Sequence, residues 1–316
     1  MTPAVAPDQV LFAAQPAVEE LVINWHVTEA CNYRCRYCYS TWQRQERQRD
    51  VVRDEAASLA LLQALWDFFR PGNAANPLRQ ALRWSHVRLS IAGGEALLYP
   101  RQVLAIARRA RELGMRVSLI TNGSLLPEGD ALADLAHHLT ILGLSLDSFS
   151  AGRNREIGRV DGKGRSLTLQ AVARLLEQAR LANPGLRIKV NTVVNAANAD
   201  DNLLPALALL QPARWKVLRM LPVVNSELAV SDLAFARFVN RHAAMGARMS
   251  VEDNGDMLGS YVMIDPQGRF FQNGTGRQGS YFYSPAITQD NVARAFTSIP
   301  FSARRFAARY PAAQAV

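Results

Sequence analysis

The sequence predicts an α/β protein built on a parallel sheet, and three observations carry that prediction. Strand-like and helix-like periodicities alternate six times along the chain. Each strand-like run is followed by a helix, the pattern of right-handed crossovers between parallel strands. The composition is that of a folded chain, 49% apolar and 20% charged over 316 residues, which excludes disordered, collagen-like and disulfide-stapled classes. From periodicity alone, an open doubly wound sheet and a partial barrel fit equally.

The first strand is expected over 21–28. A helix over 54–69 puts Leu62, Leu65, Trp66 and Phe69 on one face, and Pro71 with Gly72 stops it. Strand 86–92, helix 101–113, strand 115–121 and helix 128–137 follow. Then come strand 139–146, helix 166–181, strand 187–194, helix 201–210, strand 215–221 and a helix near 231–244. After Met249 the pattern changes, and 260–265 and 269–272 flank Pro266, Gln267 and Gly268 as a hairpin. The last stretch, with Tyr281, Phe282, Tyr283, Arg304, Arg305 and Arg309, reads as an irregular cap. The expected organisation is an extension at 1–20, the βα units at 21–244, and a hairpin with a cap at 245–316.

The net charge is +9, from 36 Lys+Arg against 27 Asp+Glu. That balance fits a nucleic-acid surface, an anionic small-molecule site or a generally basic protein. No run of about 18 apolar residues is present, so no transmembrane helix is expected. The start carries no basic region of the secretory type, and a cytoplasmic location is expected. The three cysteines, Cys31, Cys35 and Cys38, are too few and too close for a disulfide framework, and point to metal ligation in a reducing compartment.

Their spacing, C-x3-C-x2-C just beyond the first strand, can direct three thiolates at one iron–sulfur cluster and leave one iron open. A structural zinc would want a fourth ligand nearby, and the nearest histidine, His26, lies upstream on the strand. Tyr37, just before the last cysteine, supplies an aromatic ring suited to an adenine neighbour.

This cysteine loop resembles the signature of the radical S-adenosylmethionine (SAM) superfamily. The resemblance implies a partial (β/α)6 barrel and a [4Fe-4S] cluster on Cys31, Cys35 and Cys38. The open iron would chelate SAM, and one-electron reduction would cleave it to methionine and a 5′-deoxyadenosyl radical. Gly93, Gly94 and Glu95, at the end of the second strand, look like the superfamily's glycine motif beside the methionine amino group.

Between about residues 20 and 275 the likeness narrows. Asn24, His26 and Thr28; Thr121, Asn122 and Gly123; Ser145 and Asp147; Gly158 and Arg159; Lys189, Asn191 and Asn195; Arg214, Trp215 and Lys216; and Ser260 with Tyr261 resemble, in that order, segments of viperins. Viperins convert a nucleoside triphosphate to its 3′-deoxy-3′,4′-didehydro form, a chain terminator for viral polymerases. The chain looks like the compact prokaryotic branch, implicated in phage defence. The resemblance implies SAM contacts from Tyr37, Asn122, Ser145 and Arg159. It implies nucleotide contacts from Asn24, Arg88, Lys189, Asn191, Arg214 and Lys216, with Tyr261 near the reacting sugar. Two departures from animal viperins are Ala92 in place of Ser and Arg88 in place of Lys; arginine keeps the charge and adds bidentate reach to phosphate. The implied partners are a nucleoside triphosphate (CTP, or UTP or GTP) and an electron donor such as flavodoxin or ferredoxin. Neither nucleic acid nor membrane is implied, and the chain is expected to act as a monomer.

Strand alternation supports this independently. In an α/β barrel the apolar set of a strand faces the helices, which sends Lys189 and Asn191 into the lumen. The same rule sends Asn24, His26 and Thr28 inward on the first strand, and His86, Arg88 and Ser90 on the second; Arg214 and Lys216 share a side. A lumen lined by Arg88, Lys189, Arg214 and Lys216 is costly without an anion, and a triphosphate would neutralise it. The plain alternative leaves some of these cations at strand ends in water. Gly158, Gly162 and Gly164 either cradle phosphate or form a flexible loop. A radical SAM enzyme acting on a peptide is the rival reading, but such enzymes commonly carry further cysteines, and none follows Cys38.

Overall fold

The computed structural model describes residues 15–38, 49–222, 226–273 and 281–310. Residues 1–14 of the expected extension and 311–316 of the expected cap lie outside them. In chain order the elements are β1 (Ala17–His26), α1 (Glu55–Phe69), β2 (Arg83–Ala92), α2 (Pro100–Glu112), β3 (Arg116–Thr121), α3 (Asp130–His137), β4 (Ile141–Ser145), α4 (Ala151–Ile157), α5 (Leu169–Ala182) and β5 (Arg187–Val194). There follow α6 (Leu204–Leu210), β6 (Arg214–Arg219), α7 (Asp232–Arg241), β7 (Met249–Glu252), β8 (Val262–Ile264), β9 (Arg269–Asn273), β10 (Tyr281–Ala286), α8 (Val292–Thr297) and α9 (Ala303–Arg309).

The helices begin where side chains can satisfy their first N–H groups. Asp54 accepts from Ala57 N at 3.0 Å to open α1, and Thr168 and Ser231 do the same for α5 and α7. In α1, Leu61, Leu62, Leu65, Phe68 and Phe69 are buried, and Trp66 packs partly buried at the margin. β5 alternates strictly: Ile188, Val190, Thr192 and Val194 are buried, and Arg187, Lys189, Asn191 and Val193 between them are less so.

One sheet runs β10-β9-β8-β1-β2-β3-β4-β5-β6-β7, parallel from β8 through β7, with β8–β9 and β9–β10 antiparallel. β1 to β6 lie side by side in chain order, without the reversal of a doubly wound sheet, and no pairing closes the two edges among the described residues, so this unit is a partial barrel, resolving the two architectures that periodicity left tied. Neighbouring helix pairs α1–α2, α3–α5 and α5–α6 pack side by side as its outer layer. Trp25, Trp215, Phe69 and Phe238 fill the space between the layers.

Three differences from expectation concern the ends. β1 begins at Ala17, inside the expected extension, and the expected hairpin joins the sheet by placing β8 parallel to β1. The last stretch is not irregular: it forms β10, α8 and α9, whose Ala295, Phe296 and Phe306 are buried. Each of these elements is only six or seven residues long, too short for periodicity to register, and Pro285 interrupts the strand pattern.

Candidate active site

The strand register assembles the site before any side chain is considered. Asn24 lies beside Ser90 and Val22 beside Arg88 across β1–β2. Lys189 lies beside Arg214 and Asn191 beside Lys216 across β5–β6. Ser145 lies beside Asn191 across β4–β5. Side chains two apart on neighbouring strands therefore point into one lumen. His86 departs from this rule: it is exposed, because the first part of β2 extends past the lumen into solvent.

At the carboxyl ends of the strands is a cavity of about 350 Å³ lined by Cys31, Cys35, Cys38, Tyr37, Gly93, Gly94, Asn122, Ser145 and Arg159, and also by Asn24, Lys189, Asn191, Lys216 and Tyr261. A smaller space of about 70 Å³ lies toward the strand starts, lined by Arg88, Arg214, Glu20, Glu252 and Arg309. The two share Asn24, Ser90, Ile120, Lys189, Lys216 and Tyr310 as walls, so the cysteine end and the cationic end belong to one lumen.

The cysteine loop is clamped from two sides. Arg34 N donates to Gly158 O at 3.1 Å and Arg36 N to Ile157 O at 2.9 Å, which fastens the loop to the end of α4. Gly158 has φ +85°, and a side chain there would collide with Arg34 O. On the other side Gly94 N donates to Thr28 O and Glu95 N to Ala30 O, at 2.7 and 2.8 Å. A Cβ on Gly93 would lie 2.6 Å from Thr28 O, and one on Gly94 would collide with the carbonyls of Glu29 and Ala30.

Gly93 and Gly94 therefore border the cavity and also let the loop root pack against β2. Glu95 does not line the cavity. It is fully buried and accepts from Asn122 N (2.8 Å), Thr121 Oγ1 (2.8 Å) and Leu97 N (3.0 Å), tying the ends of β2 and β3 together. Its side chain thus supports the glycine turn from behind. Gly162 and Gly164 lie in an exposed loop, where Asp161 accepts from Lys163 N and Arg165 N, and they do not line the lumen.

Donors point at the sulfurs. Tyr33 N lies 3.3 Å and Asn122 Nδ2 3.7 Å from Cys31 Sγ, and Arg159 lies 4.0 Å from Cys35 Sγ. Burial pushes the Cys31 thiol up and the Cys35 thiol to about 11, so thiolate ligation there depends on the charge of a bound metal group. No group of three His, Cys, Asp or Glu could hold a single metal ion among the described residues. Three sulfurs around one cavity, with N–H donors aimed at two of them, fit an iron–sulfur cluster.

Behind them Arg159 is buried, donates to Tyr37 Oη at 2.9 Å and to Ser145 O, and lies 3.6 Å from Asp147, which accepts from Tyr37. Burial opposes its charge, but Tyr37 and Asp147 hold it well above the usual arginine range. The result is a fixed cation at the cavity wall.

Toward the strand starts, Glu252 at the end of β7 lies 2.5 Å from Lys216 Nζ and pairs with Arg309. Tyr261 Oη accepts from Lys216 at 3.1 Å and donates to Glu252 at 3.1 Å. Burial, then the charge of Glu252, holds the Tyr261 phenol well above its usual range, so it stays protonated. Burial pushes Lys216 down to about 8, against the pull of Glu252. Burial and the charges of Lys216 and Arg88 hold Lys189 well below the usual lysine range, and no acid forms a salt bridge with it among the described residues. Arg88 Nε is 3.2 Å from Glu20 but without hydrogen-bond geometry, and the buried Asn191 Oδ1 has no partner. Arg214 is half-buried and donates to Ser250 at 3.2 Å.

The sequence reasoning did not select Glu20, Glu252 or Tyr310, and left Arg309 in an irregular tail. Glu20 could have been found by extending β1 alternation backward from Asn24; the others arrive through pairing and packing far along the chain.

Comparison with known proteins adds the kinship. The Radical SAM superfamily model matches residues 25–194. A Pseudoalteromonas ulvae protein named S-adenosylmethionine-dependent nucleotide dehydratase is 40% identical over 93% of this chain and 94% of its own length. A Psychrobacter lutiphocae protein of the same name is 37% identical over 93% and 96%. Streptococcus suis SuiB bound to S-adenosylmethionine superposes with a TM-score of 0.55 at 15% identity, over 80% of this chain and 60% of SuiB, a likeness of fold. The cofactors of this superfamily, a [4Fe-4S] cluster and SAM, fit the loop and cavity described above. The chain belongs to the radical SAM superfamily and, within it, to the viperin-like family of its S-adenosylmethionine-dependent nucleotide dehydratase relatives.

Proposed function

We propose that the protein dehydrates a nucleoside triphosphate (CTP, or UTP or GTP) to its 3′-deoxy-3′,4′-didehydro analogue, a chain terminator serving antiviral defence. The observation that carries this reading is the continuity of the cysteine-lined cavity with a lumen of five cations, Arg88, Lys189, Arg214, Lys216 and Arg309. The names of the relatives point the same way.

Bound at Cys31, Cys35 and Cys38, the cluster with SAM supplies a 5′-deoxyadenosyl radical able to take the 4′ hydrogen of a ribose. Tyr37, Gly93, Gly94, Asn122, Ser145 and Arg159 are assigned to SAM. Asn24, Arg88, Lys189, Asn191, Arg214 and Lys216 are assigned to the nucleotide. The lysines and arginines hold the phosphates toward the strand starts, which leaves the sugar at the cysteine end. Such positioning converts an encounter into a fixed geometry. Asn24 and Asn191 offer hydrogen bonds between the two ends, and the Asn191 carbonyl oxygen has none in the protein to give up. Tyr261, protonated and held by Lys216 and Glu252, lines the cavity at the level of the sugar. An electron donor of the flavodoxin or ferredoxin kind supplies the reducing equivalent, and the protein acts as a cytoplasmic monomer. No helix of the described residues is long and apolar enough to cross a membrane.

The test is anaerobic incubation of cluster-reconstituted protein with reductant, SAM and each nucleoside triphosphate in turn. 5′-Deoxyadenosine formation stimulated by one triphosphate, with a nucleotide product lighter by one water, is expected. SAM cleavage indifferent to all four would overturn the substrate assignment.

A further inference from the structure

Five cations line the strand-start end of the lumen, and among the described residues two carboxylates, Glu20 and Glu252, face them. The two acids are not equivalent. Glu20 is shared with Arg116, 2.6 Å away and outside the lumen, so its charge is largely spent at the rim. Glu252 is buried and spends its charge inside: it pairs with Lys216 at 2.5 Å and with Arg309, and accepts the Tyr261 hydroxyl at 3.1 Å. β7 supplies Glu252, β6 supplies Lys216, and α9 supplies Arg309, so the carboxylate sits where three elements converge. Lys189, by contrast, has no acid paired with it among the described residues.

We infer that Glu252 is an internal competitor for the phosphates: it occupies Lys216 and Arg309 in the free protein, gives them up when a polyphosphate arrives, and takes them back on release. This rests on the reading of the lumen as a polyphosphate site. An incoming phosphate finds Lys189 without a salt bridge to displace among the described residues, though within the field of Glu252. To use Lys216 and Arg309 it must share them with a carboxylate of its own sign, and like charges brought together in a buried site weaken binding. In the free state the same carboxylate relieves the repulsion among the buried cations, which would otherwise be left unpaired at considerable cost. A ligand held by five cations without such competition would leave slowly, so Glu252 sets a ceiling on the affinity for substrate and product alike.

The test is counter-intuitive in sign, because deleting a group that merely orients Lys216 and Arg309 would weaken anion binding. Titration calorimetry of the cluster-reconstituted protein with inorganic tripolyphosphate is compared for wild type, Glu252→Gln and Glu252→Asp. The glutamine variant is expected to bind about tenfold tighter, and the aspartate variant, which keeps the charge, to stay near wild type. With the nucleotide substrate, KM of the glutamine variant should fall and kcat should not rise. Equal or weaker tripolyphosphate binding by Glu252→Gln overturns the inference while leaving the lumen a polyphosphate site. Failure of wild type to bind tripolyphosphate overturns the polyphosphate reading itself. Glu252→Ala provides the same neutralisation in a smaller side chain if the glutamine variant does not fold, and must show the same tightening.

Discussion

At the residue scale, the lumen works through an excess of positive charge that Glu20 and Glu252 only partly neutralise. Lys189 and Lys216 sit among arginines, and burial lowers both. An anion would restore their charge, so binding should take up protons. With Lys216 pushed to about 8, the charged form that attracts phosphate prevails below that pH and is lost above it. Nucleotide affinity is therefore expected to fall as pH rises through about 8, with Lys189 adding in the same direction; titration calorimetry in buffers of different ionisation heat measures both the affinity and the proton uptake. Replacing Lys189 or Lys216 by alanine should cost about 1.5–3 kcal/mol of nucleotide binding, a charge-assisted hydrogen bond each. Turnover would fall by roughly 10- to 100-fold or more, while the absorbance of the reconstituted cluster stays unchanged. Normal turnover in both variants would remove the lysines from the phosphate site.

At the element scale, the cysteine loop depends on two glycine contacts rather than on any secondary structure of its own. Gly94 lets the loop root lie against the end of β2, and Gly158 lets the end of α4 receive Arg34 N and Arg36 N. Gly94→Ala should displace the backbone at Glu29 and Ala30, at a cost of about 1–3 kcal/mol. The expected readout is loss of iron and sulfide incorporation during reconstitution, with the far-ultraviolet circular dichroism of the sheet and helices retained. Full cluster incorporation would show that the loop can find another path. The short terminal helix is also more than a tail: Phe306 of α9 is fully buried against Phe301 and Tyr310. Phe306→Ala is expected to lower stability by about 3–5 kcal/mol, read from denaturant unfolding, and to loosen Arg309 from Glu252.

At the scale of the whole molecule, an open sheet of ten strands sets Cys31, beyond the carboxyl end of β1, and Arg309, close to the end of the described chain, at opposite ends of one lumen. The net charge of +9 acquires a location: part of it is concentrated where water is largely excluded. A ligand that neutralises it binds the folded state alone, so tripolyphosphate or nucleotide should stabilise the protein by about 2.7 kcal/mol at a concentration a hundred times its Kd. A thermal melt that rises with tripolyphosphate but not with an equal ionic strength of chloride would confirm a specific site; equal effects would leave only screening.

Much of this was legible in the chain. The alternation of Ile188, Lys189, Val190 and Asn191 decides which side chains face inward wherever the strand sits, because the two-residue period of a β-strand is local. The cysteine spacing and the stop at Pro71 and Gly72 are local for the same reason. Gly93, Gly94 and Glu95 were legible together as a motif, but the structure alone shows that the two glycines border the cavity while the Glu95 side chain turns to the strand ends behind them. What only the tertiary structure decided is the company these residues keep. That β8 lies parallel to β1, that Glu252 reaches Lys216, and that α9 carries Arg309 to Tyr261 are contacts between segments tens to hundreds of residues apart. They are chosen by burial of Phe270, Phe296 and Phe306 against the barrel, and segments of six or seven residues carry too little periodicity to announce a packing partner that distant.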